Sequence, residues 1–120
     1  MGLNDQETNI AYRLGRVFAV LEKVQSEAIP GANSTIKDRY YGSASATPKV
    51  VFPQLIRMAQ HHIQKSDYGF RSDKLLEEIL GGVSDFPAHL NLDEQGLFTL
   101  GYYHQRQAFF TKSAKNKEEE

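Results

Sequence analysis

The residues best suited to bind a ligand lie in residues 36–48, where positive charge, aromatic rings and small side chains coincide. Lys37 and Arg39 precede two adjacent tyrosines, Tyr40 and Tyr41. Cationic side chains beside rings that can stack are typical of contacts to the phosphate backbone of nucleic acids. The alternative is an ordinary connection between helices with buried tyrosines, which composition alone favours. Both interpretations stay open on these residues.

Histidines are the only candidates in this chain for proton transfer or metal binding: His61, His62, His89 and His104. Neighbouring residues of a helix point about 100° apart, so His61 and His62 are poorly placed to share one metal ion. The chain contains no cysteine, no His-Glu-x-x-His motif, no glycine-rich phosphate loop and no nucleophile elbow. We therefore predict no catalytic residue, no metal site and no cofactor, so the protein is not expected to be an enzyme.

Charge is distributed unevenly along the chain. The formal net charge is -1, which on its own argues against a dedicated nucleic-acid binder. However, residues 37–74 contain seven basic and three acidic residues, and an acidic stretch follows at 77–94. This pattern predicts one basic face and one acidic end. The candidate nucleic-acid-binding residues are Arg13, Arg16, Lys23, Lys37, Arg39, Lys49, Arg57, His61, Lys65 and Arg106.

Five helices are predicted to position these residues: 5–28, 36–41, 48–64, 73–80 and 92–111. In the first helix, apolar residues recur every three or four positions from Ile10 to Ala28, which predicts one buried stripe. The outer face of this helix is predicted to carry Val20 together with Arg13, Arg16 and Lys23. Residues 42–47 are predicted to form a surface loop, with Thr47 capping a helix that starts at Pro48. Pro53 should bend or divide that helix. The predicted fold is an all-α bundle of four or five helices.

The last predicted helix has more apolar surface than a small bundle needs. Asn91 should cap it, with Glu94 completing a capping box. Its first apolar stripe comprises Leu97, Leu100, His104 and Ala108, and its second comprises Phe98, Tyr102 and Phe109. We predict that the second stripe is an interface with a neighbouring subunit; the alternative is that all these rings fill the core. Gly96 and Gly101 predict a close approach of another helix.

Chain length and the distribution of apolar residues predict the number of domains and the cellular location of the protein. At 120 residues the chain is expected to form one domain, residues 1–111, followed by a disordered charged tail at 112–120. No apolar run approaches the roughly 20 residues that span a bilayer. These features predict a cytoplasmic protein with no membrane contact and no small-molecule substrate.

Several sequence blocks resemble the C-terminal region of the large subunit of type I-C CRISPR Cascade, and equally the small subunit that this family translates from an internal start. The blocks are IKDRYYGSASATP at 36–48, VFPQL at 51–55, QHH at 60–62, FPAHL at 86–90, and GYYHQRQ at 101–107 followed by Phe109 and Phe110. They occur in one order over residues 7–112. The initial Met1-Gly2 favours the free-standing small subunit, although a shortened large subunit would have the same sequence.

This resemblance implies a helical bundle on the inner face of the Cascade backbone, in more than one copy and in a prokaryotic cytoplasm. Its implied partners are the backbone subunits, the large subunit and a further copy of itself. There it would support the crRNA–target DNA hybrid and hold the displaced single-stranded DNA during R-loop formation. The competing class is a helical protein–protein adaptor without nucleic-acid contact.

Overall fold

The computed structural model describes residues 3–29, 36–65 and 69–119, with side chains for all of these except Phe70 and residues 112–119. These ranges contain helices and no strand, which confirms the predicted all-α bundle. The helices are α1 (Ile10–Ala28), α2 (Ile36–Ala46), α3 (Pro48–Lys65), α4 (Gly69–Leu80) and α5 (Leu92–Glu119).

Helix α1 is the centre of the bundle and packs against each of the other four helices. It begins at Ile10 rather than near residue 5, because the side chain of Asn9 accepts a hydrogen bond from the Tyr12 backbone N–H. Every side chain from Leu14 to Leu21 is buried. Val20, predicted on an outer face, has no exposed surface. A helix covered on several sides has no outer face along this stretch, so that prediction was wrong.

Two glycines allow α1 and α5 to meet backbone against backbone. A Cβ atom at Gly15 would overlap the backbone of Phe98, and one at Gly101 would overlap the carbonyl group of Tyr12. The close approach predicted at Gly101 is therefore confirmed. A Cβ atom at Gly96 would meet nothing within 4 Å, so the same prediction was wrong there.

Phe18 of α1 lies at the centre of an aromatic core. Its ring centroid is 5.5 Å from that of Tyr41, 6.1 Å from that of Phe98 and 5.8 Å from that of Tyr102. Phe98 and Tyr102 have no exposed surface, so they cannot contact a neighbouring subunit. The predicted partner interface was wrong for these two rings, because the central helix α1 needs large side chains from α5 to cover it.

Residues 42–46 are helical, which corrects the predicted surface loop. Helix α2 continues through Gly42 to Ala46, so only Thr47 separates it from α3. Ala44 and Ser45 are buried, since their small side chains allow close packing with neighbouring segments. Helix α3 begins at Pro48 as predicted and continues through Pro53 without being divided.

The loop before α5 is held at the junction of α2 and α3. The Leu90 N–H donates to the Ala46 carbonyl oxygen and the Lys49 N–H donates to that of Pro87, both at 3.0 Å. Leu90 is buried, and the ring of Phe86 stacks 5.6 Å from that of Phe52. These contacts confirm the prediction that Phe86 and Leu90 anchor this loop.

The observed first and last residues and caps of α4 and α5 agree only in part with those predicted from the sequence. Helix α4 begins at Gly69, so Ser72 lies buried within it and is not its cap. Asn91 and Glu94 form the predicted capping box through reciprocal hydrogen bonds of 2.9 and 2.8 Å. Helix α5 extends beyond Thr111 to Glu119. In the described part of the chain, no helix is long and apolar enough to cross a membrane.

Candidate nucleic-acid interface

The outward side of α3 carries four of the predicted nucleic-acid-binding residues, and all four are exposed. We call these residues, Lys49, Arg57, His61 and Lys65, the cationic face. The apolar residues Phe52, Leu55 and Ala59 bury the opposite side of the helix. The spacing of the apolar residues turns one side of α3 towards the core, so the charged residues between them face outward.

Nothing acidic lies near the cationic face in sequence. Residues 39–66 contain no aspartate or glutamate. The side chains of Lys49, Arg57 and Lys65 form no hydrogen bond or ion pair with any described residue. Cations grouped on one helix favour a positive local potential even in a protein of net charge -1, although Glu27 lines the same cavity as Lys65.

Lys37 belongs to a different surface from the cationic face. Its Nζ atom donates to the hydroxyl of Tyr103 at 3.3 Å and lies 5.3 Å from the centroid of that ring. It also lies 5.4 Å from the centroid of Tyr102. The neighbouring Arg39 is exposed on α2. Lys37 is therefore directed towards α5.

Arg13 stabilises the end of another helix. Its Nε atom donates to the carbonyl oxygen of Glu7, and its Nη1 atom donates to that of Ile79, each at 2.9 Å. The Ile79 carbonyl belongs to the last turn of α4, where carbonyl groups lack partners within the helix. Two of the five N–H groups of Arg13 are thus used inside the fold, which makes Arg13 a weaker candidate than the cations of α3, and its nucleic-acid contact stays a prediction.

Arg16 is buried, with 4% of its surface exposed. Its Nε atom donates to Oε1 of Gln105 on α5 at 2.9 Å. Burial lowers the pKa of Arg16 by disfavouring the charged form. A guanidinium enclosed between α1 and α5 cannot reach a polynucleotide, so the prediction that Arg16 binds nucleic acid was wrong.

Lys23 pairs with an acid of its own helix. Its Nζ atom lies 2.6 Å from Oε1 of Glu27 and 5.3 Å from the ring centroid of Phe109. Phe109 is half-buried against the core. Glu27 offsets the charge of Lys23, which makes it a weaker candidate than the cations of α3. The predicted partner contact of Phe109 stays a prediction.

Three of the four histidines contact another ring or a hydrogen-bond partner. The Asn4 N–H donates to the Tyr12 hydroxyl at 3.0 Å, and that hydroxyl in turn lies 2.8 Å from Nδ1 of His104. His104 therefore connects α5 to the start of α1. The rings of His61 and His62 meet edge to face, 5.9 Å apart. Across the described ranges, no three histidine, aspartate or glutamate side chains lie close enough to hold a metal ion together.

Sequence reasoning missed a second exposed surface, on α5. Leu100, Tyr103 and Phe110 are 49%, 45% and 63% exposed, and the guanidinium of Arg106 lies 5.6 Å from the ring centroid of Phe110. We call these four residues the α5 outer face. Leu100 had been assigned to the inner stripe. Two features of the sequence indicate this face: residues 95–117 contain no acidic residue, and the four residues of the face recur three or four positions apart.

The two surfaces are separate. Helices α3 and α5 each pack against α1 and α2, and they meet in the core through the rings of Phe52 and Phe98, whose centroids lie 6.2 Å apart. The structure thus brings Lys49, Arg57, His61 and Lys65 together on α3, and it brings Lys37 and Arg106 to the rings of α5.

The family model of a CRISPR-associated protein (Cas_Csd1) matches residues 1–110. The chain therefore belongs to this family, and it is a subunit of the type I-C Cascade complex. Its partners accordingly include other components of that complex. A search of curated proteins finds no match.

Proposed function

We propose that this chain is the non-catalytic small subunit of a type I-C Cascade effector in the prokaryotic cytoplasm. In this role it lines the inner face of the complex, supports the crRNA–target hybrid and binds the displaced DNA strand during R-loop formation. The observation that carries the proposal is the cationic face, whose lysines and arginine have no partner among the described residues.

Phosphate binding needs only this kind of surface. Each lysine or arginine that contacts a phosphate releases condensed counterions, and this release drives binding of any nucleotide sequence. Lys49, Arg57 and Lys65 lie eight residues apart in turn, so they extend over about 24 Å of α3. A strand lying along α3 could therefore contact several of them. Arg39 would add a further charge from α2.

Exposed acidic residues lie on helices other than α3. Glu77 and Glu78 are exposed on α4, and Asp93 is exposed at the start of α5. The net charge of -1 thus comes from acidic residues elsewhere in the chain, whereas residues 39–66 contain basic residues and no acidic one. Those acidic surfaces and the half-buried ring of Phe109 are candidates for contact with the backbone subunits, the large subunit or a further copy of this chain.

A protein–protein adaptor is the second candidate function, because the α5 outer face exposes apolar side chains. Binding to a labelled DNA single strand, measured by fluorescence anisotropy over a range of salt concentrations, distinguishes the two functions. The variant replaces Lys49, Arg57 and Lys65 by glutamine. Lys74→Gln, which removes an exposed lysine from α4, is the matched control.

If the cationic face binds phosphates, the triple variant should bind more weakly at low salt. The slope of log K against log salt should also become shallower by about 2, from three lost contacts at about 0.7 each. The control should resemble the wild type. Binding that is the same in all three proteins would contradict the proposal and favour the adaptor.

A further inference from the structure

We propose that the α5 outer face is a stacking site for the unpaired bases of a nucleic-acid single strand. This inference rests on the proposed function but assigns a different chemistry to a different surface. The cationic face would hold phosphates, whereas Tyr103 and Phe110 would hold bases.

Each exposed ring of this face has a cation beside it. Nζ of Lys37 lies 5.3 Å from the ring centroid of Tyr103, and the guanidinium of Arg106 lies 5.6 Å from that of Phe110. Both distances fall within the range of cation–π attraction. The two rings nevertheless keep 45% and 63% of their surfaces open to solvent. Each ring thus offers an apolar surface beside a positive charge.

A nucleotide matches this pairing because it carries a flat aromatic base and a negative phosphate. The Lys37 ammonium has three N–H groups, and the Tyr103 hydroxyl occupies one. The others form no hydrogen bond with a described residue, so they can bind a phosphate while a base lies against the ring. Tyr103 and Phe110 are seven residues apart, which is about 10 Å along the helix axis, so each ring can take a different base.

The charge around the rings favours a nucleic acid over the apolar surface of a protein. An apolar partner would remove Lys37 and Arg106 from water without compensation, and burial of an unpaired charge is costly. No acidic residue occurs in residues 95–111, and the carboxylate of Glu22, which lies against α5, accepts a hydrogen bond from the Tyr102 hydroxyl. A duplex hides the faces of its bases, so the match is to a single strand.

The test compares two probes of equal length: a thymidine oligonucleotide and an abasic strand that has phosphates but no bases. Both are titrated into the full chain and into the Tyr103→Ala, Phe110→Ala double variant. Leu100→Ala, which removes an apolar but non-aromatic side chain from the same face, is the control. Circular dichroism establishes whether each variant is folded. If the double variant is unfolded, the single variant Phe110→Ala takes its place in the test.

Stacking predicts that the wild type binds the thymidine strand about tenfold or more tightly than the abasic strand. The double variant should bind both strands equally, with the salt dependence of the wild type, since no phosphate contact is removed. Leu100→Ala should keep the preference. Phe110→Ala alone should lose part of it.

Several results would overturn the inference. Equal binding of both strands by the wild type would refute stacking while leaving phosphate binding intact. A double variant that keeps its full preference would also refute it. The face would then be a protein interface if the same substitutions abolished self-association in sedimentation experiments. Failure of the wild type to bind either strand at low salt would instead refute the proposed function, and stacking with it.

Discussion

The Nε atom of Arg16 donates to Oε1 of Gln105 across the interface of α1 and α5, and both side chains are almost completely buried. The partner of this cation is a neutral amide. Desolvation is the largest influence on the pKa of Arg16 and lowers it. The pair therefore fixes the position of α5 against α1 and contributes little as an electrostatic attraction.

Replacing Arg16 by methionine should lower the free energy of unfolding by about 2 kcal/mol, because Oε1 of Gln105 would be left buried without a donor. Replacing Gln105 by leucine as well should recover part of this loss, since an apolar pair leaves no unsatisfied group. Urea denaturation of the two single variants and the double variant measures the coupling. Independent, additive losses would show that the hydrogen bond does not connect the two residues energetically.

Gly101, where the backbones of α1 and α5 meet, should be the position least tolerant of an added methyl group. Gly101→Ala would force the backbones of α1 and α5 apart and should cost about 3 kcal/mol. Gly96→Ala lies on the same helix with open space around it and should stabilise the protein by up to about 1 kcal/mol. Thermal denaturation of both variants gives the comparison. Equal effects of the two substitutions would mean that the close crossing is absent in solution.

Tyr102 should make the protein sensitive to alkaline pH. Burial, followed by the hydrogen bond to Glu22, raises the pKa of Tyr102 above its usual 10.0. Above about pH 10 the unfolded chain would lose this proton before the folded protein does, so the free energy of unfolding should fall as pH rises. Below that pH the contribution of the neutral hydroxyl is complete.

Tyr102→Phe should cost about 1.5 kcal/mol near neutral pH, because it removes a hydrogen bond to a carboxylate. It should also remove the share of the alkaline destabilisation that comes from this residue. Tyr103→Phe, whose ring is exposed, is the control. Urea unfolding near neutral pH and again above pH 10 is the measurement. An unchanged alkaline loss in Tyr102→Phe would assign the effect to other groups.

The charged tail is predicted to add little to stability. Residues 112–120 include one apolar side chain, that of Ala114, so they can bury almost no apolar area. Removing them should change the melting temperature by less than about 2 °C. A drop of several degrees would show that the tail packs against the bundle.

Local signals predicted the five helices, the start of α3 and the capping box of α5. The capping box of Asn91 and Glu94 depends only on residues three positions apart, and Pro48 fits the first turn of any helix. The apolar stripe of α1 was also evident from its spacing. These features need no knowledge of how the helices are arranged.

Features that depend on the arrangement could not be predicted. Nothing in the α1 sequence shows that it is covered on several sides, so Val20 and Arg16 were expected at the surface. Residues 42–46 have the composition of a loop, yet tertiary packing of Ala44 and Ser45 stabilises them as a helix. Periodicity shows that α5 has two apolar stripes but not which of them is buried; the position of α1 determines that Tyr102 faces inward and Leu100 outward.

The central claim is that the cationic face of α3 holds DNA in the assembled effector. R-loop formation by type I-C Cascade, reconstituted with the Lys49→Gln, Arg57→Gln, Lys65→Gln variant or with Lys74→Gln, tests it most directly. We predict that strand opening slows by about tenfold or more in the triple variant, and that added salt affects it less than the wild type. The Lys74→Gln complex should open DNA normally. Normal strand opening by a complex that contains the folded triple variant would contradict the claim.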